Sequence, residues 1–505
     1  MGFRDSVWLD DPRVRTGLTV FAAGVSTVGT SFALYGTTRE FVVIGASRLA
    51  LDLLPDRLLA DIIWSLGDYS LALALVCFGV LLAGVAGAVS YLGYAAGAGS
   101  VDEEQVGVGV VTAVLVVWGL VTLTVGSVPA GLVPAVAGAA VTALLAGPVG
   151  VADATGPTAG TERSRRSLLG LLAGVGGYNV VTHAVGTLRG RAPTSGFDAL
   201  DELDAVQARL TDAEERSLDV AGMAGLVPDV EDFYTVDINP RPPAVRAGEW
   251  SLSVTGAVET EREFDYAALR ERERVHRFKT LRCLGDQVDG DQIGTALWTG
   301  CSLPALLEEA GPQGSHVVLR AVDDYYYSMP LSMLEDALLA YGMNDEALPR
   351  QHGYPVRALV PDRWGKLNVK WLDEIEVVDS FESGYWEERG WNGMGTVNTV
   401  VKIESVNRRD GRVELGGYAY AGVRGIQTVY VSVDGGDTWS TATLSEPLPD
   451  ADTWRQWRFE FEPTEEIHNV RARAIDGTGA EQTRVQSGAF PDGATGWARR
   501  TLEFD

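Results

Sequence analysis

Five apolar runs in the first 188 residues constrain this chain more than any other feature. They cover residues 17–35, 69–98, 106–125, 130–151 and 167–188. A helix that crosses a bilayer needs about 20 apolar residues, since in hydrocarbon each backbone polar group must bond within its own segment. All five runs meet that need. The run 41–54 is shorter and carries Arg48 and Asp52, so it reads as an interfacial or re-entrant helix. Most of the charge comes after Leu188. A chain of 505 residues therefore divides into a membrane part and a charged part of one or two domains.

Short-loop arginines orient the spans. Arg4, Arg13 and Arg15 flank the first, and Arg163, Arg165 and Arg166 flank the start of the fifth. With five spans both clusters fall on the cytoplasmic side and the C-terminal part falls outside. Arg39, Arg48 and Arg57 oppose this, among acidic neighbours. Ser164-Arg165-Arg166-Ser167-Leu168-Leu169 resembles a twin-arginine export signal. A plain positive-inside flank accounts for it as well.

The net charge of −27 excludes nucleic acid as a partner, because no basic stripe exists to displace phosphate counterions. Only four of the 41 basic residues are lysines: Lys279, Lys366, Lys370 and Lys402. An acidic, lysine-poor composition resembles that of proteins from salt-loving archaea, where carboxylates hold hydration. The cysteines are Cys77, Cys283 and Cys301, too few for a disulfide framework. Cys77 lies in an apolar run and reads as inert packing.

Residues 191–230 are polar and acidic, with one helix expected near 200–210, and read as a linker or a lid. Residues 231–393 read as a mixed α/β domain. Strands are expected at 250–254, 317–319 and 356–360, and helices at 303–309 and 331–339. Beyond 394 the texture changes. Val429, Val431 and Val433 alternate into Asp434-Gly435-Gly436-Asp437, and Val470, Ala472 and Ala474 alternate into Asp476-Gly477-Thr478-Gly479. Short strands punctuated this way predict a β-sandwich over 394–505.

Lys279-Thr280-Leu281-Arg282-Cys283-Leu284-Gly285-Asp286 places a cysteine between a strand and a glycine-rich turn. Backbone N–H groups of such a turn stabilise a thiolate, and a soft thiolate is a good ligand for a heavy metal. A lone cysteine is also a common small core residue. Arg357 and Lys370 lie in apolar strand-like runs, where a charge is costly unless paired, and phosphate suits both. A neutral His352 can hydrogen-bond a heteroatom.

These segments, in this order, resemble the sulfite-oxidase family of molybdopterin enzymes. The stretch around Cys283 resembles the family's molybdenum-cysteine motif. Phe233-Tyr234-Thr235-Val236-Asp237 resembles the strand that touches the pterin. His352-Gly353-Tyr354-Pro355-Val356-Arg357 and Asn368-Val369-Lys370-Trp371-Leu372 resemble its pterin and phosphate anchors. Gly384 to Trp391 resembles the segment that approaches the active site from below. Val431 to Gly436 and Trp454 to Trp457 resemble the dimerisation domain. The resemblance covers residues 231–505.

The apolar runs and the polar stretch after them predict transmembrane helices (1–190) and a linker (191–230); the resemblance implies an α+β molybdopterin domain (231–393) and an immunoglobulin-like β-sandwich (394–505) that forms a homodimer. It implies a molybdenum–molybdopterin cofactor, with Cys283 as metal ligand and catalytic residue. Tyr234, Thr235, Asp323, His352, Arg357, Asn368, Val369 and Lys370 would bind the cofactor. Asp323 also reads as a solvated loop acid, and Cys301 as core packing.

The sequence departs from the family where sulfite oxidases hold their anion with arginines and a tyrosine. The matching positions are Val236, Val288 and Trp391. Arg282, Arg363 and Arg389 remain as candidate cations, and Arg389-Gly390-Trp391 is closer to periplasmic reductases that repair oxidised methionine. The expected substrate is a small molecule, an oxyanion or a sulfoxide.

Of His183, His276, His316, His352 and His468, only His183 lies in a proposed span, so no bis-histidine haem is expected. Electrons should pass to a separate carrier protein, with membrane lipid as the other partner. A receptor built on a degenerate fold is the alternative. It is disfavoured by the presence of Cys283, His352, Arg357 and Lys370 together. A transporter is disfavoured by spans almost free of internal charge.

Overall fold

The N-terminal helices are built inside out. In the computed structural model, which describes residues 12–35, 41–46, 69–97, 103–125, 129–146, 160–190, 203–239, 242–392 and 394–504, helices run over Pro12–Tyr35 (α1), Tyr69–Gly97 (α2), Glu103–Val125 (α3), Leu132–Ala146 (α4) and Gly160–Gly190 (α5). Small and hydroxyl-bearing residues face inward. A Cβ at Gly87 would lie 1.8 Å from the Val20 carbonyl oxygen, so only glycine lets α1 and α2 cross this closely. Ser90 and Thr142 share a 2.8 Å hydrogen bond, and Asn179 donates to Ser26 at 3.1 Å. Val80, Leu81, Leu92, Val111, Leu115, Val180 and Val181 point outward. Large apolar groups on the outside and polar groups within reverse the order of a water-soluble bundle.

Among the described residues three helical stretches are long and apolar enough to cross a membrane: Arg13–Tyr35, Cys77–Ala95 and Pro129–Ala146. Val108–Thr122 is apolar but shorter, and α5 is a continuous helix outside those three. The sequence reading expected five spans. Residues 42–46 of the short sixth run are helical and buried, while Arg4, Arg39, Arg48 and Arg57 lie outside the described residues. Cys77 is exposed on the face of α2, which corrects its reading as packing. His183 stacks on Phe32 at 5.5 Å.

The chain forms two compact units, Met1–Pro193 with Asn239–Ala244 and Thr194–Ile238 with Val245–Asp505. The second unit begins with helix α6, Leu203–Glu215. From 203 onward the segment between the helices and the α/β domain is packed down. Val206, Ala213 and Leu226 enter the main core, the Trp454 indole donates to the Leu226 carbonyl at 2.8 Å, and Gln456 receives the Leu218 N–H at 2.7 Å.

Two sheets make the α/β part. One has the strand order Arg262–Asp265, Ser251–Gly256, Leu372–Val378, His316–Ala321, Tyr326–Pro330, with one parallel pair between the second and third. The other runs Val275–Arg282, Ile293–Ser302, Leu338–Met343, Glu346–Ala347, and Arg357–Leu359 pairs with the third. The expected strands near 250, 317 and 356 are present, as is helix Leu303–Glu308. The helix expected over 331–339 is not. Leu331–Leu334 is a single 3₁₀ turn and Leu338–Met343 is a fully buried strand. A short apolar run fits either element, and pairing with a neighbouring strand decided it. Cys301 is 1% exposed in the core, as expected.

Beyond residue 394 two four-stranded antiparallel sheets share one apolar core. Val401, Ile403 and Trp457 come from one sheet, and Val429, Val470 and Ala472 from the other. Both expected hairpin strands are present, as Ile426–Ser432 and Ile467–Asp476.

Candidate active site

Cys283 directly follows the strand Val275–Arg282, and the chain turns through 283–292 before returning as Ile293–Ser302. The Cys283 N–H donates to the Gln292 carbonyl at 2.9 Å, which closes the base of this loop. Asp286 holds the loop from within. Its carboxylate accepts from Arg282 Nε at 2.8 Å and from the Gln292 N–H at 3.1 Å. Asp289 holds it from the C-terminal sheets, accepting from the Ile403 N–H at 2.6 Å and from Arg500 at 2.7 Å. The thiol is thus presented by a backbone fixed at three points. Burial pushes the Cys283 thiol up to about 11, against the backbone N–H groups of Gly285 and Asp286 that favour its anion. A bound cation reverses this balance, because a coordinating thiol gives up its proton.

The anchors expected from the sequence form one wall. Arg357 is 4% exposed and its guanidinium lies 5.1 Å over the Trp298 ring. Its two terminal nitrogens donate to the carbonyls of His352 and Asn368, each at 3.0 Å. Among the described residues it forms no ion pair, and its Nε is buried without a partner. Burial pushes its pKa down to about 10. His352 packs edge-on against Phe233 at 5.4 Å, and its Nε2 is also buried without a partner. Burial first, then the charges of Arg357 and Lys370, push this imidazole down to about 3, so it is neutral. Gly353 lies between them at φ +113°, and a Cβ there would press on both Arg357 and Lys370 at 3.1 Å. Only glycine fits that conformation and that gap.

Lys370 pairs with Asp237 and donates to the Gln351 carbonyl at 3.1 Å. Asp323 is buried at a turn where it caps the Tyr325 N–H at 3.2 Å, and its charge bears on Lys370. The reading of Asp323 as a solvated loop acid is therefore corrected. Asn368 serves the backbone: its side chain accepts from the Val360 N–H at 2.8 Å and donates to the Trp364 carbonyl at 3.0 Å. Val369 is buried, and its carbonyl accepts from the Ala358 N–H at 2.9 Å. Tyr234 stacks on Phe233 at 5.4 Å, and Thr235 is half-buried beside it. Phe233 to Asp237 belong to no strand, so the strand expected at 233–237 is absent.

A cofactor with a phosphate tail and hydrogen-bonding pterin edges fits these residues. Two buried nitrogens have no hydrogen-bond partner: Arg357 Nε–H, on a guanidinium that forms no ion pair among the described residues, can donate to an acceptor, and Nε2 of the neutral His352, whose ring bonds the Val230 backbone, can receive a donor.

A second wall was not read from the sequence. Lys366 pairs with Glu387 and also donates to the Asn392 carbonyl. Its ammonium lies 5.3 Å over the Tyr327 ring, and its own carbonyl accepts from Tyr325 Oη at 2.8 Å. Next to Asn392, the Trp391 indole comes within 3.9 Å of where a Gly285 Cβ would stand, and Cys283 Sγ within 3.7 Å of the same point. Lysine scarcity was the overlooked signal. Each of the four lysines is ion-paired: Lys279 with Asp452, Lys366 with Glu387, Lys370 with Asp237 and Lys402 with Glu404. Of the expected cations, Arg282 is fully buried and neutralised by Asp286, and Arg389 lies over the Tyr385 ring at 3.7 Å. Arg363 is half-buried beside Tyr327.

The family model described as the oxidoreductase molybdopterin binding domain matches residues 239–386. That of the Mo-co oxidoreductase dimerisation domain matches residues 394–487. These two matches, in this order, make a molybdopterin-dependent oxidoreductase module. Sulfite oxidase of Arabidopsis thaliana is 28% identical over 281 residues, 44% of this chain and 72% of that protein. Mitochondrial sulfite oxidase of Mus musculus is 34% identical over 225 residues, 36% of this chain and 41% of that protein. The alignment with the mouse protein thus spans less than half of its length. The crystal structure of the sulfane dehydrogenase SoxCD from Paracoccus pantotrophus superposes with a TM-score of 0.48 at 22% identity, over 52% of this chain and 78% of that chain. The module's second domain supports a homodimer.

Proposed function

We propose that this protein is a membrane-anchored molybdenum–molybdopterin oxidoreductase that transfers an oxygen atom to or from a small substrate on the extracytoplasmic side. The observation that carries the reading is the unfilled hydrogen-bonding wall of Arg357 and His352 beside the Cys283 turn. Cys283 would hold the metal. Arg357 and Lys370 would hold the phosphate, and His352, Tyr234 and Thr235 the pterin edge, with Asp323 acting through Lys370. Asn368 and Val369 would keep the wall in shape. When bound, the cofactor supplies two-electron oxygen-atom chemistry, and the chain orients it and excludes water.

The inside-out helices support anchoring over 1–190, and the flanking arginines support an outward catalytic part. Residues 231–393 would be the molybdopterin domain. Residues 394–505 would be the dimerising sandwich of immunoglobulin type. Electrons would leave or arrive through a separate carrier protein. The acidic composition suits a salt-rich setting. With Val236, Val288 and Trp391 where sulfite oxidases hold their anion, a sulfoxide or other neutral organic substrate fits better than sulfite.

The test is molybdenum content by elemental mass spectrometry, with pterin fluorescence, on wild type and on Cys283→Ser. Near-stoichiometric metal in the wild type, with loss or a changed metal spectrum in the variant, is expected. Folded wild-type protein from a cofactor-competent host that holds neither metal nor pterin refutes the reading.

A further inference from the structure

The second wall contains a cation that is switched off. Lys366 lies along the Cys283 turn: a Cβ at the preceding Gly365 would meet the Arg282 carbonyl at 3.2 Å and Tyr234 Oη at 2.9 Å. Its ammonium is closed on one side by the Glu387 carboxylate and on the other by the Asn392 carbonyl. The side chains are 5% and 14% exposed, so solvent screens the pair little. Glu387 sits on the same short segment as Trp391, whose ring reaches the Cys283 turn. Glu387 therefore does two things at once. It neutralises Lys366, and it ties the segment that carries Trp391 to the 3₁₀ turn Gly365–Leu367.

We propose that Glu387 sets substrate specificity by masking Lys366, so that the cleft refuses oxyanions and admits neutral oxygen donors or acceptors. The inference rests on the functional reading above and deepens it. A half-buried carboxylate can exclude anions, since an entering sulfate meets a like charge and finds the Lys366 ammonium taken. Replacing Glu387 by its neutral isostere leaves the shape of the wall and frees the lysine. Glu387 is a positioning residue here, because it acts through Lys366.

The test uses the full chain in detergent, with sulfate as a non-reacting oxyanion probe and calorimetry at constant ionic strength as the readout. Glu387→Gln should bind sulfate roughly tenfold more tightly than wild type, the gain expected for one charged hydrogen-bond donor set free. The double variant Lys366→Gln/Glu387→Gln should return to the wild-type value. Arg363 stays in place in every variant, so the cycle reads Lys366 alone. Equal sulfate affinity in wild type and Glu387→Gln overturns the proposal, as does a gain that survives removal of Lys366. If Glu387→Gln does not fold, Lys366→Met is read instead. Its sulfate affinity should match that of wild type, and a tenfold loss shows that the lysine was never masked. Molybdenum content of the same samples separates the two readings. Empty wild-type protein refutes the enzyme, whereas loaded protein with an unchanged sulfate affinity refutes only the mask.

Discussion

Trp298 separates two buried cations that the protein treats in opposite ways. On one side, its indole N–H donates to the carbonyl of Lys279, whose ammonium is closed by Asp452. Asp452 also accepts from Tyr420 Oη at 2.7 Å and from the Asp362 N–H at 2.8 Å. On the other side, the ring carries Arg357, which has carbonyls for partners and forms no ion pair among the described residues. The first arrangement joins the α/β part to the C-terminal sheets and is complete. The second is incomplete in a way that costs stability unless a ligand brings negative charge. The first charge is closed within the chain; the second, on the function proposed above, is closed by the negative charge of the ligand.

Three experiments can break this contrast, starting with the largest effect. Arg357→Met should lower molybdenum and pterin content by roughly tenfold to a hundredfold, as expected when charged hydrogen bonds to a phosphate are lost. The unloaded protein should fold about as well as wild type, because an apolar replacement of a buried unpaired charge is often neutral. If the unloaded variant instead unfolds, Arg357 is structural and the contrast fails. The converse experiment is Asp452→Asn, which strands Lys279 in the core. It should lower unfolding stability by roughly 3 kcal/mol in a urea titration. Cofactor content per folded molecule should be unchanged, and a selective loss of molybdenum would merge the two regions.

The smallest effect is a pH dependence. In the unfolded chain the His352 imidazole takes a proton near pH 6.5. In the folded protein burial and the neighbouring cations hold this back to about pH 3. Between these values the unfolded state binds more protons. Stability present above pH 6.5 is therefore lost as the pH falls toward 3, by roughly 2 kcal/mol at pH 5. His352→Gln should flatten that part of the acid-unfolding curve of the unloaded protein. An unchanged slope means that the ring is not held neutral by its surroundings.

Much of this architecture was legible without coordinates. The cysteine motif works at sequence range, because a strand, a thiol and a glycine turn are local. So are the period-two strands at 429–433 and 470–474, and the apolar runs that became helices. The misreadings have one cause. The run 331–339 and the segment 233–237 are too short for local pattern to outweigh what they pack against, and Cys77 depends on which face of its helix is covered.

By itself the sequence determined which chemistry is present. It placed the apolar helices before the charged domains and supplied the order of Tyr234, Cys283, His352, Arg357 and Lys370. Each of these rests on residue type and near-neighbour spacing. What only the tertiary structure decided is which charges are satisfied. Lys279 finds Asp452 across 173 residues and Lys370 finds Asp237 across 133, whereas Arg357, nearly as buried as Lys279, forms no ion pair among the described residues. Spacing along the chain cannot forecast such partners, because the energy of a buried charge is set by the groups that folding brings around it.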